Sequence, residues 1–247
     1  MMKQSNLILG YDYDSWYNYG EKNPIATDIS LNTNSHILLS GMSGSGKSFL
    51  TNQIFARLCM FGGTVYFADY KQDDGFKHLR GCPRYYPYNK TLEALDEVYS
   101  ILQNRQSGVD ISREPVTLVW DEYVANILSL LSTEKKKAET VMRKVSEILM
   151  LGRSLGVRLA CSCQRPDAAV FPTGSRLNYG VIIIVGAAIK SIYEMLIPKE
   201  YIEQIGSRKF KVGEGVVLLQ GTKMHIIKVP IIKDEEQLKQ KCIEALS

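Results

Sequence analysis

The run Gly41-Met42-Ser43-Gly44-Ser45-Gly46-Lys47-Ser48 fits the spacing G-x-x-x-x-G-K-[ST] at every fixed position. It also stands between two runs of different period. Before it, His36-Ile37-Leu38-Leu39-Ser40 is a short apolar stretch of strand length; after it, Leu50, Ile54, Phe55 and Leu58 recur at helical spacing until Gly62-Gly63 stops them. A strand, a glycine-rich turn and a helix in that order make a phosphate cradle. The glycines let the backbone curl so that successive N–H groups face the β- and γ-phosphates of a nucleotide, where a side chain would block the approach. Lys47 then supplies a point charge to the γ-phosphate. Ser48 offers a hydroxyl to Mg²⁺, an ion that prefers hard oxygens, and the helix start adds its positive end. The expected nucleotide-binding residues are Gly41, Met42, Ser43, Gly44, Ser45, Gly46, Lys47, Ser48 and the adjoining Phe49.

A cradle alone does no chemistry, and the partner it needs is a carboxylate pair at the end of a neighbouring strand. Val116-Thr117-Leu118-Val119-Trp120 is a buried-strand run that ends in Asp121-Glu122. Asp121 is expected to hold Mg²⁺ through its water shell, and Glu122 to orient and polarise the attacking water. Three more strands are expected. Thr64 to Asp69 ends in a carboxylate that either reaches the site or caps the turn at Gln72 to Gly75. Val157 to Cys163 leads into Gln164-Arg165-Pro166, and Tyr179 to Gly186 is another buried run. If the Val157 strand lies between the cradle strand and the Asp121 strand, Gln164 faces the γ-phosphate and senses its presence.

The remaining chain reads as helices and one hairpin. Leu92, Leu95, Val98 and Leu102 mark an amphipathic helix after a loop at residues 81 to 87. Thr133 to Gly152 carries Ala138, Val141, Met142, Val145, Ile148 and Leu149 on one face, with Lys135, Lys136, Lys137, Arg143 and Lys144 elsewhere. Two short helices span Ile189 to Gly206, a β-hairpin turns at Gly221, and Asp234 with Gln237 caps a final helix. Residues 1 to 34 crowd Tyr11, Tyr13, Trp16, Tyr17 and Tyr19, rings expected to pack against the core rather than to stack single-stranded bases, since Lys3 is the one basic residue from Met1 to Gly20. The fold class is therefore α/β with a mainly parallel central sheet flanked by helices and a C-terminal β-hairpin; residues 1–34 are expected to form an N-terminal segment packed on a core domain of residues 35–247.

Composition narrows the rest. Thirty Lys and Arg against 26 Asp and Glu permit a polyanionic partner without demanding one. The five cysteines have no C-x-x-C spacing, so buried free thiols are expected rather than a zinc site. The longest apolar run, residues 181–189, is far short of a bilayer span and no signal-peptide pattern opens the chain, so a cytoplasmic protein without a membrane segment is expected. No N-K-x-D base-reading motif or cluster of lid-like arginines points to a GTPase or a small-molecule kinase.

Four stretches together resemble the FtsK/SpoIIIE-type DNA translocase motor domain, a branch of the FtsK–HerA superfamily of P-loop ATPases. They are Ile8-Leu9-Gly10 with Pro24 to Asp28, His36 through Ser48, Gly152-Arg153-Ser154-Leu155-Gly156-Val157 leading to Gln164-Arg165-Pro166, and Gly213-Glu214-Gly215 with the strand after it. The resemblance implies a RecA-like fold, ATP and Mg²⁺ as cofactors, a hexameric ring of identical chains and translocation of double-stranded DNA. It also implies that Arg153 reaches the neighbouring subunit's nucleotide as an arginine finger. The family's membrane segments and sequence-reading winged helix have no counterpart in these residues, which suggests a motor serving replication or transfer of a mobile genetic element, alone or with a replication or transfer protein. Two other readings stand beside it: a viral genome-packaging ATPase of the same superfamily, and a nucleotide-dependent switch or scaffold that binds a replication protein.

Overall fold

The computed structural model describes residues 6–28, 36–60, 63–171 and 178–247; the expected helix stop at Gly62 and the side chain of Cys59 lie outside that description. Among the described residues ten strands form one sheet: β1 (Asn6–Asp12), β2 (Pro24–Asp28), β3 (Ile37–Ser40), β4 (Thr64–Asp69), β5 (Tyr85–Pro87), β6 (Val116–Asp121), β7 (Val157–Cys163), β8 (Val181–Val185), β9 (Glu214–Leu219) and β10 (Lys223–Lys228). Their spatial order is β2-β1-β10-β9-β8-β3-β7-β6-β4-β5. From β8 to β5 every pairing is parallel, whereas β9, β10, β1 and β2 add on antiparallel. The central parallel strands must be apolar on both faces because helices cover both. Every residue of β3, β6, β7 and β8 is accordingly buried.

Seven α-helices among the described residues supply the covers: α1 (Lys47–Met60), α2 (Thr91–Gln106), α3 (Tyr123–Thr133), α4 (Lys135–Leu155), α5 (Lys190–Leu196), α6 (Lys199–Ile205) and α7 (Glu235–Leu246). Phe55 of α1 and Cys242 of α7 join a core on one face with Phe67 and Val217. On the other face, Leu95, Ile127, Ile148 and Ile192 from α2, α3, α4 and α5 bury Trp120 and Leu159. Asp234 caps α7 as its spacing with Gln237 predicts, accepting the Gln237 N–H at 2.8 Å. No helix among the described residues is long and apolar enough to cross a membrane.

Three details depart from the sequence reading. Residues 85–87 form the edge strand β5 rather than loop, because β4 offers Tyr85 and Tyr86 a free parallel edge. Helix α3 was hidden in apolar residues that continue the β6 run, with no polar cap to separate strand from helix. The N-terminal rings pair with each other, Tyr11 of β1 with Trp16 and Tyr13 with Tyr17, and the turn Ser15–Tyr19 that carries Trp16 and Tyr17 has no buried residue. Among the described cysteines, Cys161, Cys163 and Cys242 are buried thiols outside any disulfide, and Cys82 is half-buried.

Candidate active site

Parallel strands deliver their carboxyl ends to one edge of a sheet, and loops leaving that edge build the site. β3 ends at Ser40 and runs into the glycine-rich turn, where Gly44 and Gly46 take φ of +77° and +92°. A Cβ on Gly41 would lie 2.5 Å from Ser45 Oγ and 2.8 Å from Val185 Cγ2, so no other residue fits between turn and β8. α1 starts at Lys47 itself. The turn therefore presents backbone N–H groups and a helix start toward a cavity of about 350 Å³.

β6 brings the carboxylates. At its end the chain reverses at Glu122, whose φ of +54° and ψ of +40° place a non-glycine residue in the left-handed region. Such a conformation costs on the order of 1–3 kcal/mol and persists only where its surroundings hold it. Here they do: Lys47 Nζ lies 3.0 Å from Glu122 Oε1 and 3.0 Å from Asp121 Oδ1, with all three side chains nearly dry. Burial by itself would lower the Lys47 pKa, but the two carboxylates outweigh it and hold the ammonium charged. Ser162 of β7 donates a short hydrogen bond to Asp121 Oδ1. The other oxygen, Asp121 Oδ2, is buried without a partner among the described residues.

β7 lies between β3 and β6, the position on which the sensing role of Gln164 depends. Gln164 lines the cavity together with Lys47, Ser48, Phe49 and Glu122. Arg153 is placed elsewhere. It sits exposed in the last turn of α4, before β7 begins, and so lies about a strand's length, roughly 20 Å, from the cavity of its own chain.

Asp69 does not enter the cavity. It is fully buried, accepts the Gln72 N–H at 2.7 Å and the Tyr85 hydroxyl at 2.7 Å, and so caps the turn after β4. Burial is the main force raising its pKa, with the nearby Asp121 charge adding to it. The carboxylate that does reach the site is Asp73, four residues on, whose Oδ1 is 3.4 Å from the Ser48 hydroxyl. Lys71, 3.5 Å from Asp73, lines the same cavity. Sequence reasoning missed both, although two acids in the turn after a carboxyl-end carboxylate were a usable signal. Val212 also lines the cavity, and no local pattern marked it.

The donor set suits a nucleotide triphosphate with one hard cation. Main-chain N–H groups and Lys47 meet phosphate oxygens, while Ser48 and Asp121 offer oxygen to an ion that keeps most of its waters. Among the described residues no group of three or more His, Cys, Asp and Glu side chains forms a site able to hold a metal by itself.

The comparisons with known proteins bear on the fold. The chain is 26% identical over 204 residues to the FtsK domain-containing protein YdcQ of Bacillus subtilis (strain 168), a match over 74% of this chain and 42% of that protein. The chain is similar to FtsK-type motor domains. It spans less than half the length of YdcQ, and no known family profile matches it. Solved structures share the FtsK-type fold. The cytoplasmic domain of the type VII secretion ATPase EccC of Thermomonospora curvata superposes with a TM-score of 0.69 at 19% identity, over 99% of this chain and 31% of that one. TcpA, the conjugation coupling protein of pCW3 solved as a monomer with ATPγS, gives 0.69 at 18% identity over 99% and 71%. The genome packaging NTPase B204 of Sulfolobus turreted icosahedral virus 2, in complex with AMPPCP, gives 0.54 at 17% over 80% and 98%. The architecture is that of a P-loop ATPase: a mostly parallel sheet flanked by helices, closed by the β9–β10 hairpin.

Proposed function

We propose that this chain is a Mg²⁺-dependent ATPase that moves double-stranded DNA through a ring of identical subunits, as an FtsK/SpoIIIE-like motor serving replication or transfer of a mobile element. The single observation that carries the proposal is the buried contact of Lys47 with Asp121 and Glu122, beside Gln164, at the end of a glycine-rich turn. An arriving γ-phosphate takes Lys47 away from the two acids, so Glu122 is released to orient water only when nucleotide is present. Bound Mg²⁺ would supply charge neutralisation at the phosphate oxygens. Ser48 would offer it a hydroxyl and Asp121 would hold its water shell, for which the unpartnered Asp121 Oδ2 is a free acceptor among the described residues. Gln164, which directly follows the strand between cradle and acids and lines the cavity, would report whether the γ-phosphate is present.

The ring rests on Arg153. Its distance from its own cavity suits a role in the next subunit's site, where a guanidinium would stabilise the charge on the γ-oxygens. Of the expected N-terminal segment 1–34, the described residues 6–28 would then serve as an addition to the motor core, with β1 hydrogen-bonded to β10.

The test is the ATPase rate with and without double-stranded DNA. A translocase is stimulated by duplex DNA at moderate salt, and the stimulation fades as salt rises because phosphate contacts dominate its binding. Hydrolysis indifferent to DNA at every salt concentration would refute the DNA-motor reading. A second reading, in which the cargo is a polypeptide, is supported by the fold shared with EccC, which was also solved in complex with a signal sequence peptide. Stimulation by an unfolded protein but not by DNA would select it.

A further inference from the structure

The Lys211–Glu214 segment is a tight turn that touches the glycine-rich loop from the side away from the carboxylates. The Glu214 N–H bonds the Lys211 carbonyl at 3.0 Å, and Gly213 at the third position has φ +72°, the left-handed value a type II turn requires. The Gly213 N–H donates to the Ser45 carbonyl at 3.2 Å, which ties the turn to the cradle. A Cβ built on Gly46 would lie 3.5 Å from Val212 Cγ1. At the tip, Val212 is 65% exposed, an unusual setting for an apolar side chain that lines a cavity otherwise rich in polar groups.

Sheet order says which part of a ligand this valine meets. The acids leave β6, Gln164 leaves β7, the cradle leaves β3, and the Val212 turn enters β9, two strands beyond the cradle on the opposite side. A nucleotide whose γ-phosphate lies at Lys47, Glu122 and Gln164 therefore crosses the glycine-rich turn and leaves its nucleoside toward β8 and β9. We infer that the Val212 turn is the nucleoside wall of the site, packing an apolar face on the ribose and base, and that Tyr17 and Glu214 are positioning residues that hold it there. Glu214 is nearly fully buried and braces the turn from within: one carboxylate oxygen accepts the Lys211 N–H at 2.9 Å, and the other accepts the Tyr17 hydroxyl at 2.7 Å. Lys228 Nζ stands 3.9 Å from Glu214 and balances its charge. The N-terminal segment thus reaches the nucleotide through one hydrogen bond. Recognition here is by packing, since valine offers no donor or acceptor to read a base edge.

The inference rests on the nucleotide reading, and the experiment separates the two. Binding of Mg²⁺-AMPPCP and of Mg²⁺-tripolyphosphate is measured by calorimetry on the whole chain, its Val212→Ala form and its Tyr17→Phe form, with thermal melting as a check on folding. Val212→Ala should weaken AMPPCP binding about 3- to 10-fold, the value of one or two buried methyl groups. Tyr17→Phe should weaken it about 2- to 10-fold through the loosened turn. Tripolyphosphate, which has no nucleoside, should bind all three alike. Variants that bind AMPPCP like the parent, or that lose tripolyphosphate to the same degree, would overturn the nucleoside wall alone. A parent chain that binds neither probe would overturn the nucleotide reading and the wall with it.

Discussion

Lys47 is the residue on which the site turns, because its charge neutralises two acids in a nearly dry pocket before any phosphate arrives. Removing one partner of a buried ionic cluster costs about 3–5 kcal/mol, since the charges left behind have no compensation. Lys47→Ala is therefore expected to abolish nucleotide binding and also to lower stability by roughly 3 kcal/mol, read in urea unfolding at neutral pH. Unchanged stability would mean that solvent reaches Asp121 and Glu122. His36 makes a second residue-level prediction. It is buried with Nδ1 accepting the Leu159 N–H at 3.0 Å, and burial, aided by the Arg158 charge, lowers its pKa from 6.5 to about 3. The folded chain holds it neutral while the unfolded chain protonates it below 6.5, so its stability contribution is complete above that pH and is lost as pH falls toward 3. Between pH 6.5 and pH 4 the loss should approach about 3 kcal/mol. His36→Asn, which keeps an acceptor but does not titrate, should lose correspondingly less over that range; an identical acid profile would show that other groups dominate.

At the scale of elements, the join between the parallel and antiparallel halves of the sheet is the critical one. β9 pairs with β8 so closely at Gly215 that an added Cβ would lie 2.0 Å from the Ile184 carbonyl oxygen. Gly215→Ala must therefore push the strands apart, at an expected cost of about 2–4 kcal/mol and a fall of roughly 5–15 °C in melting temperature. A variant that melts with the parent would show that β9 shifts freely. Legibility in the sequence also divides by element. β6, β7 and β8 were readable because strands covered by helices on both faces become unbroken apolar runs. α3 was not, because the same apolar character continues past Asp121-Glu122 and only the left-handed turn at Glu122 converts strand into helix. β5 is three residues long and exists because β4 has an edge to offer, a condition no local pattern records.

Assembly belongs to the whole molecule. Arg153 precedes β7 and the nucleotide cavity lies beyond its other end, so in the proposed ring one chain's guanidinium would reach the next chain's site head to tail. Arg153→Ala should bind nucleotide normally yet lose roughly 10³-fold or more of DNA-stimulated hydrolysis. Mixed with Glu122→Gln subunits it should recover activity, because an intact Glu122 site then meets an intact Arg153 from the neighbour. Two variants that co-assemble and stay inactive at every ratio would confine Arg153 to its own subunit.

What the sequence determined by itself was whatever depends on neighbours along the chain. The glycine spacing of residues 41–48, the acids ending an apolar strand and the Asp234 cap are local rules, and each was legible as such. The tertiary structure decided which carboxylate stands beside Ser48, Asp73 rather than Asp69, and brought Val212 to a cradle formed about 170 residues earlier. It also separated Arg153 from the cavity of its own chain. Those outcomes follow from strand order, and strand order is set by how two helical layers bury both faces of one sheet, a balance struck across the whole chain.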